Sequence, residues 1–267
     1  MDDQELFAAL GFHWDRAQAQ QPVTVSTVSE VIATFERDMA GHVWAAAALE
    51  GNPFTYPEVK TLLEGITVGG RKVSDAEQIL RLRDAYVILR NLVIDGDFRL
   101  TKEVSDRIHD AIARGEALEA GHFRGEGTLL TPVAVNLGEY GSHVPLATER
   151  GGGNLREIYR SGLAALDSME SAFERGCAYS LFAADHQFYF DGNKRTARSM
   201  MNGVLMSAGV SAVQVPAQAR EEFNAAMVDF HVQRDGTRVM ELFASCGPRE
   251  EPTRQRWAAI NEAARGH

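Results

Sequence analysis

A chain of 267 residues, 45% of them hydrophobic and with no long uncharged apolar run, has room for one large or two small domains and reads as soluble and globular. A formal net charge of −10 excludes a general polyanion-binding surface, so neither nucleic acid nor anionic membrane is an expected partner. The two cysteines, Cys177 and Cys246, lie in apolar helical contexts and read as small buried hydrophobes, and the acidic start Met1-Asp2-Asp3-Gln4-Glu5 is unlike a secretory or transit peptide, so a cytoplasmic location is expected.

In chain order, residues 3–11 suit a short helix, and Gln18 to Pro22 a polar connection. The run Val28, Val31, Ile32, Phe35, Met39, Val43, Trp44 and Leu49 has helical period and predicts one long amphipathic helix up to Gly51, stopped by Gly51-Asn52-Pro53. Two capping boxes follow, Thr55-x-x-Glu58 and Ser74-x-x-Glu77, each predicting a helix start. The second helix should reach Asp95-Gly96, and Thr101 should open another that ends near Gly115. From Thr131 to Leu137 the residues alternate as in a strand before Gly138 and Gly141 break it, which fits a short hairpin between Pro132 and Leu146. Gly151-Gly152-Gly153-Asn154 lacks the preceding strand and the Lys-Ser/Thr of a phosphate-binding loop, so it reads as a turn before a helix. Helices are then expected through Glu170 to Asp185, Asn193 to Ala208, Ala217 to Gln233, Thr237 to Cys246 and Pro252 to Arg265. The fold class is mostly α with one small β-hairpin. We divide the chain into an N-terminal helical portion at 1–95, a core domain at 96–250 and a C-terminal tail at 251–267.

The stretch His186-Gln187-Phe188-Tyr189-Phe190-Asp191-Gly192-Asn193-Lys194-Arg195-Thr196-Ala197-Arg198 sits between two helical segments and gathers a base, a carboxylate, a Gly-Asn turn and three cations. The unpaired N–H groups of the helix that opens at Asn193 can hold an anion, helped by the helix dipole. Lys194, Arg195 and Arg198 add positive charge, and the spacing of the two arginines puts them on nearly one helix face. Asp191 among these cations suits a hard divalent cation that bridges phosphate oxygens, and His186 is within one loop of them all, as a base acting on a hydroxyl must be. His42, His109, His122, His143 and His231 show no metal-ligand spacing, and no zinc site is expected.

This stretch resembles the signature of Fic (filamentation induced by cAMP) proteins, H-x-F-x-(D/E)-G-N-(G/K)-R-x-x-R. The family pattern has three residues between histidine and acid, whereas Gln187, Phe188, Tyr189 and Phe190 intervene here. Aligned without a gap on Asp191, Gln187 takes the place of the histidine; with one residue bulged in the loop, His186-x-Phe188 keeps the family spacing. We take the bulged alignment, because loops absorb insertions more readily than helices.

The resemblance implies a Fic fold and transfer of AMP from ATP, with Mg²⁺, to a hydroxyl of a protein, the chain itself included. His186 is then the base, Asp191 the metal ligand, and Gly192, Asn193, Lys194, Arg195 and Arg198 the phosphate-binding residues. Glu50-Gly51-Asn52 is similar to the regulatory-helix motif S/T-x-x-x-E-G-N of some relatives, in which the glutamate pairs with the second signature arginine and displaces the γ-phosphate. Carried over, Glu50 should pair with Arg198, with Ala46 standing where those relatives have a hydroxyl. The hairpin, through Pro132, Val133 and Val135, should pin the target segment. Lys194 is also found in a kinase-like branch of the family. A Fic-type kinase or other phosphate-group transferase, and a nucleotide-binding module without turnover, therefore remain alternatives, and a homo-oligomer stays open.

Overall fold

The computed structural model describes residues 1–18 and 25–246, so the helix expected over Pro252–Arg265 and the tail at 251–267 lie outside the described residues. Among these residues the elements run α1 (Asp3–Leu10), α2 (Val28–Arg37), α3 (Met39–Leu49), α4 (Tyr56–Leu63), α5 (Val73–Ile94) and α6 (Lys102–Ala113). A two-stranded antiparallel ribbon follows, β1 (Val135–Asn136) and β2 (Ser142–His143), joined through a 3-10 turn at Gly138–Tyr140. The chain then continues through α7 (Gly153–Leu166), α8 (Ala172–His186), α9 (Asn193–Ser207), α10 (Arg220–Gln233) and α11 (Thr237–Ser245).

Local signals explain most of the boundaries. Thr27, Thr55 and Thr101 are N-caps, the first two closing capping boxes with Glu30 and Glu58. Three expectations are corrected. The long helix before Gly51 is two helices broken at Asp38, whose φ/ψ of −110°/26° leaves the helical range and whose carboxylate fills the space that a Cβ at Gly41 would need. Ser74 does not cap α5: the helix starts at Val73 with Lys72 as N-cap, so Ser74 lies inside the first turn. The hairpin is also shorter than the sequence alternation, with the register Val135 to His143 and Asn136 to Ser142.

Helices α8 and α9 are the centre of the molecule. In α8 nearly every residue from Phe173 to Asp185 is buried, and in α9 the run Arg195 to Met206 is buried, so both are enclosed on all sides by α2, α5, α6, α7 and α11. One hydrophobic cluster extends from Leu6 to Phe243. Two glycines allow the closest approaches: the ring of Phe182 occupies the place of a Cβ at Gly162, and the ring of Phe98 that of a Cβ at Gly203. The loop from Gln187 to Gly192 joins the ends of the two central helices and is thereby fixed by the whole core.

Candidate functional site

Helix α9 begins after Gly192, whose φ of 73° makes the left-handed turn into the helix and where a Cβ would crowd Ala113 and His109. Asn193 ties the loop shut: its Oδ1 accepts from the Tyr189 N–H at 2.9 Å, and its Nδ2 donates to the Tyr189 carbonyl at 2.8 Å and to Gln187 Oε1 at 3.0 Å. Phe188 is buried between Phe123 and Tyr159. Tyr189 is buried too, stacked on His109 at 3.7 Å with its hydroxyl on Ser105 and Asp106, while Phe190 faces the open space. His109 accepts from the Gly121 N–H at Nδ1, so its Nε2 carries the proton and donates to the Asp191 carbonyl at 2.8 Å. Burial lowers the His109 imidazole to about 4, so it stays neutral in this role.

Above the start of α9 is an open cavity of about 310 Å³. Its wall includes Asp191, Gly192, Asn193, Lys194 and Arg195 from the loop and helix, Glu50 from the end of α3, Val133 from the segment leading into β1, Val135 from β1 itself, and Gln187 and His231. Asp191 Oδ1 accepts from the Gly192 N–H at 2.6 Å, which orients the carboxylate at the helix start. Arg195 is buried and bonded to Glu116 Oε2 at 2.7 Å, and Glu116 is also held by Arg81 at 2.6 Å. Pro132 is not on the wall, although its neighbour Val133 is.

Glu50 spans two cations, with Oε1 3.0 Å from Arg198 Nη2 and Oε2 3.5 Å from Lys194 Nζ. Burial alone would raise this carboxyl, but the charges of Arg198, Lys194 and Arg195 outweigh it and bring it down to about 2. Arg198 itself is not on the cavity wall. It sits behind Glu50, over the Phe223 ring at 5.5 Å, with its Nη1 buried and unpartnered beside a small void lined by Ala46, His42, Tyr86 and Asn202. Gly51 and Asn52 are away from the cavity: Gly51 takes a φ of 86° at the helix end, and the Asn52 amide donates to the Asp75 carbonyl and to Gln78, tying the turn to α5.

His186 is likewise absent from the cavity wall, and Gln187 is present. Helix α8 runs unbroken to His186, whose Nδ1 bonds to the Phe182 carbonyl at 3.0 Å and whose ring stacks on Phe188; Gln187 follows as a left-handed C-cap with φ 47°. Arg124 fixes this helix end. Its guanidinium is fully buried and donates to the carbonyls of Gln187 at 2.6 Å, His186 at 3.3 Å and Leu146 at 3.2 Å, joining the end of α8 to the segment after β2.

Sequence spacing also missed a cluster beside the cavity. His143 of β2, Asp185 of α8 and His231 of α10 present ligand-type atoms within 4.8 Å of one another, although they are far apart in the chain. Burial would raise the Asp185 carboxyl, but the adjacent His231 ring and Arg234, which donates to both of its oxygens, lower it. His143 Nε2 donates to the Asp185 main-chain carbonyl at 2.7 Å. With a guanidinium on the carboxylate and the Nε2 of one imidazole committed as a donor, the cluster is poorly suited to a cation.

No family model matches the chain. It is 25% identical over 188 residues to a curated "Protein adenylyltransferase Fic" of Drosophila persimilis, a match that covers 68% of this chain and 34% of the relative, so the chain spans about a third of the length of that protein. Among solved structures it superimposes on a fragment of Fic-1 from C. elegans with a TM-score of 0.65 and 17% identity, covering 98% of this chain and 73% of the other. A Fic domain containing signaling protein from Bacteroides thetaiotaomicron gives 0.66 and 17%, covering 91% of each. The mostly helical architecture with its two-stranded ribbon is therefore the Fic fold, and over about two thirds of its length the sequence is similar to that of curated Fic proteins.

Proposed function

We propose that the chain transfers AMP from ATP to a hydroxyl side chain of a protein, itself among the targets, and that Glu50 restrains the reaction. The observation that carries this reading is a single cavity in which the first turn of α9, Asp191, Lys194 and Arg195 meet the carboxylate of Glu50. The helix N-terminus with Gly192 and Asn193 receives phosphate oxygens, Lys194 and Arg195 offset their charge, and catalysis is mostly positioning and charge stabilisation. Asp191 fits a hard cation, since one carboxylate oxygen is steadied by Gly192 and the group lies on the wall; Mg²⁺ held by Asp191 would supply positive charge to offset that of the phosphates. The backbone from Val133 to Val135, at the cavity edge, receives an extended target segment by strand addition.

Glu50 supports the restraint because it occupies the cavity side of Arg198, so a γ-phosphate reaches that arginine only when the carboxylate leaves. The resemblance assigns the hydroxyl proton to the signature histidine His186, but it is the neighbouring Gln187 that lies on the cavity wall. The test is incubation of wild type and Glu50→Gly with Mg²⁺ and ATP labelled at the α or the γ phosphate. Label from the α phosphate on protein, stronger in Glu50→Gly, is the expected result. Label from γ alone marks phosphotransfer, the alternative that Lys194 suggests, and tight ATP binding without any adduct marks a binding module.

A further inference from the structure

A Fic-type cavity that presents glutamine where a proton acceptor is needed must find the acceptor elsewhere. Gln187 cannot serve: its amide is neutral, with Oε1 accepting from Asn193 and Nε2 donating to the Ala184 carbonyl. On the cavity wall the described residues include one imidazole, that of His231, carried in by α10. The ring is buried and stacked on His143 with centroids 4.5 Å apart and planes 25° apart. Its Nδ1 is buried without a hydrogen-bond partner and lies 3.5 Å from Asp185 Oδ1. Nε2, on the opposite edge of the ring, is not among the buried unpartnered atoms.

We infer that His231, oriented by Asp185, accepts the proton of the attacking hydroxyl in this cavity. The inference rests on the nucleotidyl-transfer reading above. A carboxylate 3.5 Å from Nδ1 favours the ring proton on that nitrogen and leaves the Nε2 lone pair for the substrate, and the contact tightens into a hydrogen bond as charge develops on the ring. Asp185 is held ionised and in place by Arg234, so it can steady an imidazolium without taking the proton itself. The groups facing His231 are Asp185 from α8, His143 from β2 and Arg234 just past the end of α10, with Glu50, Asp191, Lys194 and Arg195 across the cavity. In the reaction the hydroxyl oxygen bonds to the α-phosphorus, its proton moves to Nε2, and the bond from the α-phosphorus to the bridging oxygen breaks with its electrons leaving on pyrophosphate. The imidazolium then returns its proton to solvent through the open cavity.

The experiment measures α-phosphate label on protein in the Glu50→Gly background, with a nonhydrolysable ATP analogue as the binding probe. His231→Ala is expected to lower transfer by roughly 10² or more while analogue affinity stays within a few fold, and added imidazole is expected to restore part of the rate. Gln187→His placed in the His231→Ala protein should also restore transfer, because it puts an imidazole back on the wall. Asp185, as a positioning residue, should affect kcat rather than KM when changed to Asn. Undiminished transfer in His231→Ala overturns the inference, as does a loss that neither imidazole nor Gln187→His repairs or that follows analogue binding. If the Glu50→Gly protein labels only from the γ phosphate, the AMP-transfer reading fails, and a matching loss in His231→Ala would still assign the base. No label from either phosphate removes both readings.

Discussion

Glu50 meets three cations near one cavity, and its ionisation shows which effect wins. Burial favours the neutral acid, but Arg198, Lys194 and Arg195 together hold the carboxyl at about 2, below its ordinary value of 4.5. Because the folded value is depressed, the contact contributes its full stability above pH 4.5 and loses it as pH falls toward 2. Wild type should therefore melt higher than Glu50→Gln at pH 6, with the gap narrowed at pH 3, as thermal denaturation at the two pH values would show. The same pair predicts activity. Glu50→Gly should raise transfer by about 5–150-fold, the usual range of a regulatory coupling, and Arg198→Ala should abolish transfer even in that background. Ala46 lines the void beside the unpartnered Arg198 Nη1, so Ala46→Ser adds a hydroxyl there and should lower basal labelling.

Among the elements, the end of α8 depends on one buried cation. Arg124 gathers three carbonyls from two segments and has no carboxylate among its hydrogen-bond partners, so burial lowers its proton affinity while the helix C-terminus offsets the charge. Arg124→Met should cost about 3 kcal/mol, measured by urea denaturation, because the carbonyls lose charged donors without gaining others. The α9 helix is set against Phe98 in a similarly unforgiving way. Gly203→Ala gains about 1 kcal/mol of helix propensity but forces the Phe98 ring to move, at about 1–3 kcal/mol, so net destabilisation is expected. Combining Gly203→Ala with Phe98→Leu should recover part of the loss in a double-mutant cycle.

For the whole molecule, the cavity is built from segments brought together by α8 and α9, so ligand binding should stabilise the entire fold. At a nucleotide concentration of about 100 times Kd the gain is about 2.7 kcal/mol, read as a rise in Tm with ATP and Mg²⁺. Asp191→Ala should remove the Mg²⁺-dependent part of that rise and leave the unliganded Tm near that of wild type, since its side chain bonds only to the adjacent Gly192 N–H. A second global lever is His42, buried in α3 against Phe35 and lowered by burial to about 4. Its stabilising neutral state is complete above pH 6.5 and is lost as pH falls to 4, so His42→Gln should flatten the decline in Tm across that window.

Local chemistry was legible in the sequence at several helix starts, but not at Ser74, whose capping pattern lies inside the first turn of α5. The caps at Thr55 and Thr101 and the glycine turn into α9 at Gly192 follow from short-range geometry. The grouping of Asp191, Asn193, Lys194 and Arg195 was also readable, because consecutive residues at one helix start cannot be far apart. The ion pair of Glu50 with Arg198, 148 residues away, was reached through family resemblance rather than spacing, and the fold supplies its distance. Only the tertiary structure decided that Gln187 rather than His186 faces the cavity, since that depends on where α8 stops and on the orientation that Arg124 and Asn193 impose on the loop. Only the tertiary structure, too, brought His143, Asp185 and His231 together. A strand and two helices carry them to one place through packing, and no pattern along the chain encodes the distance between elements so far apart.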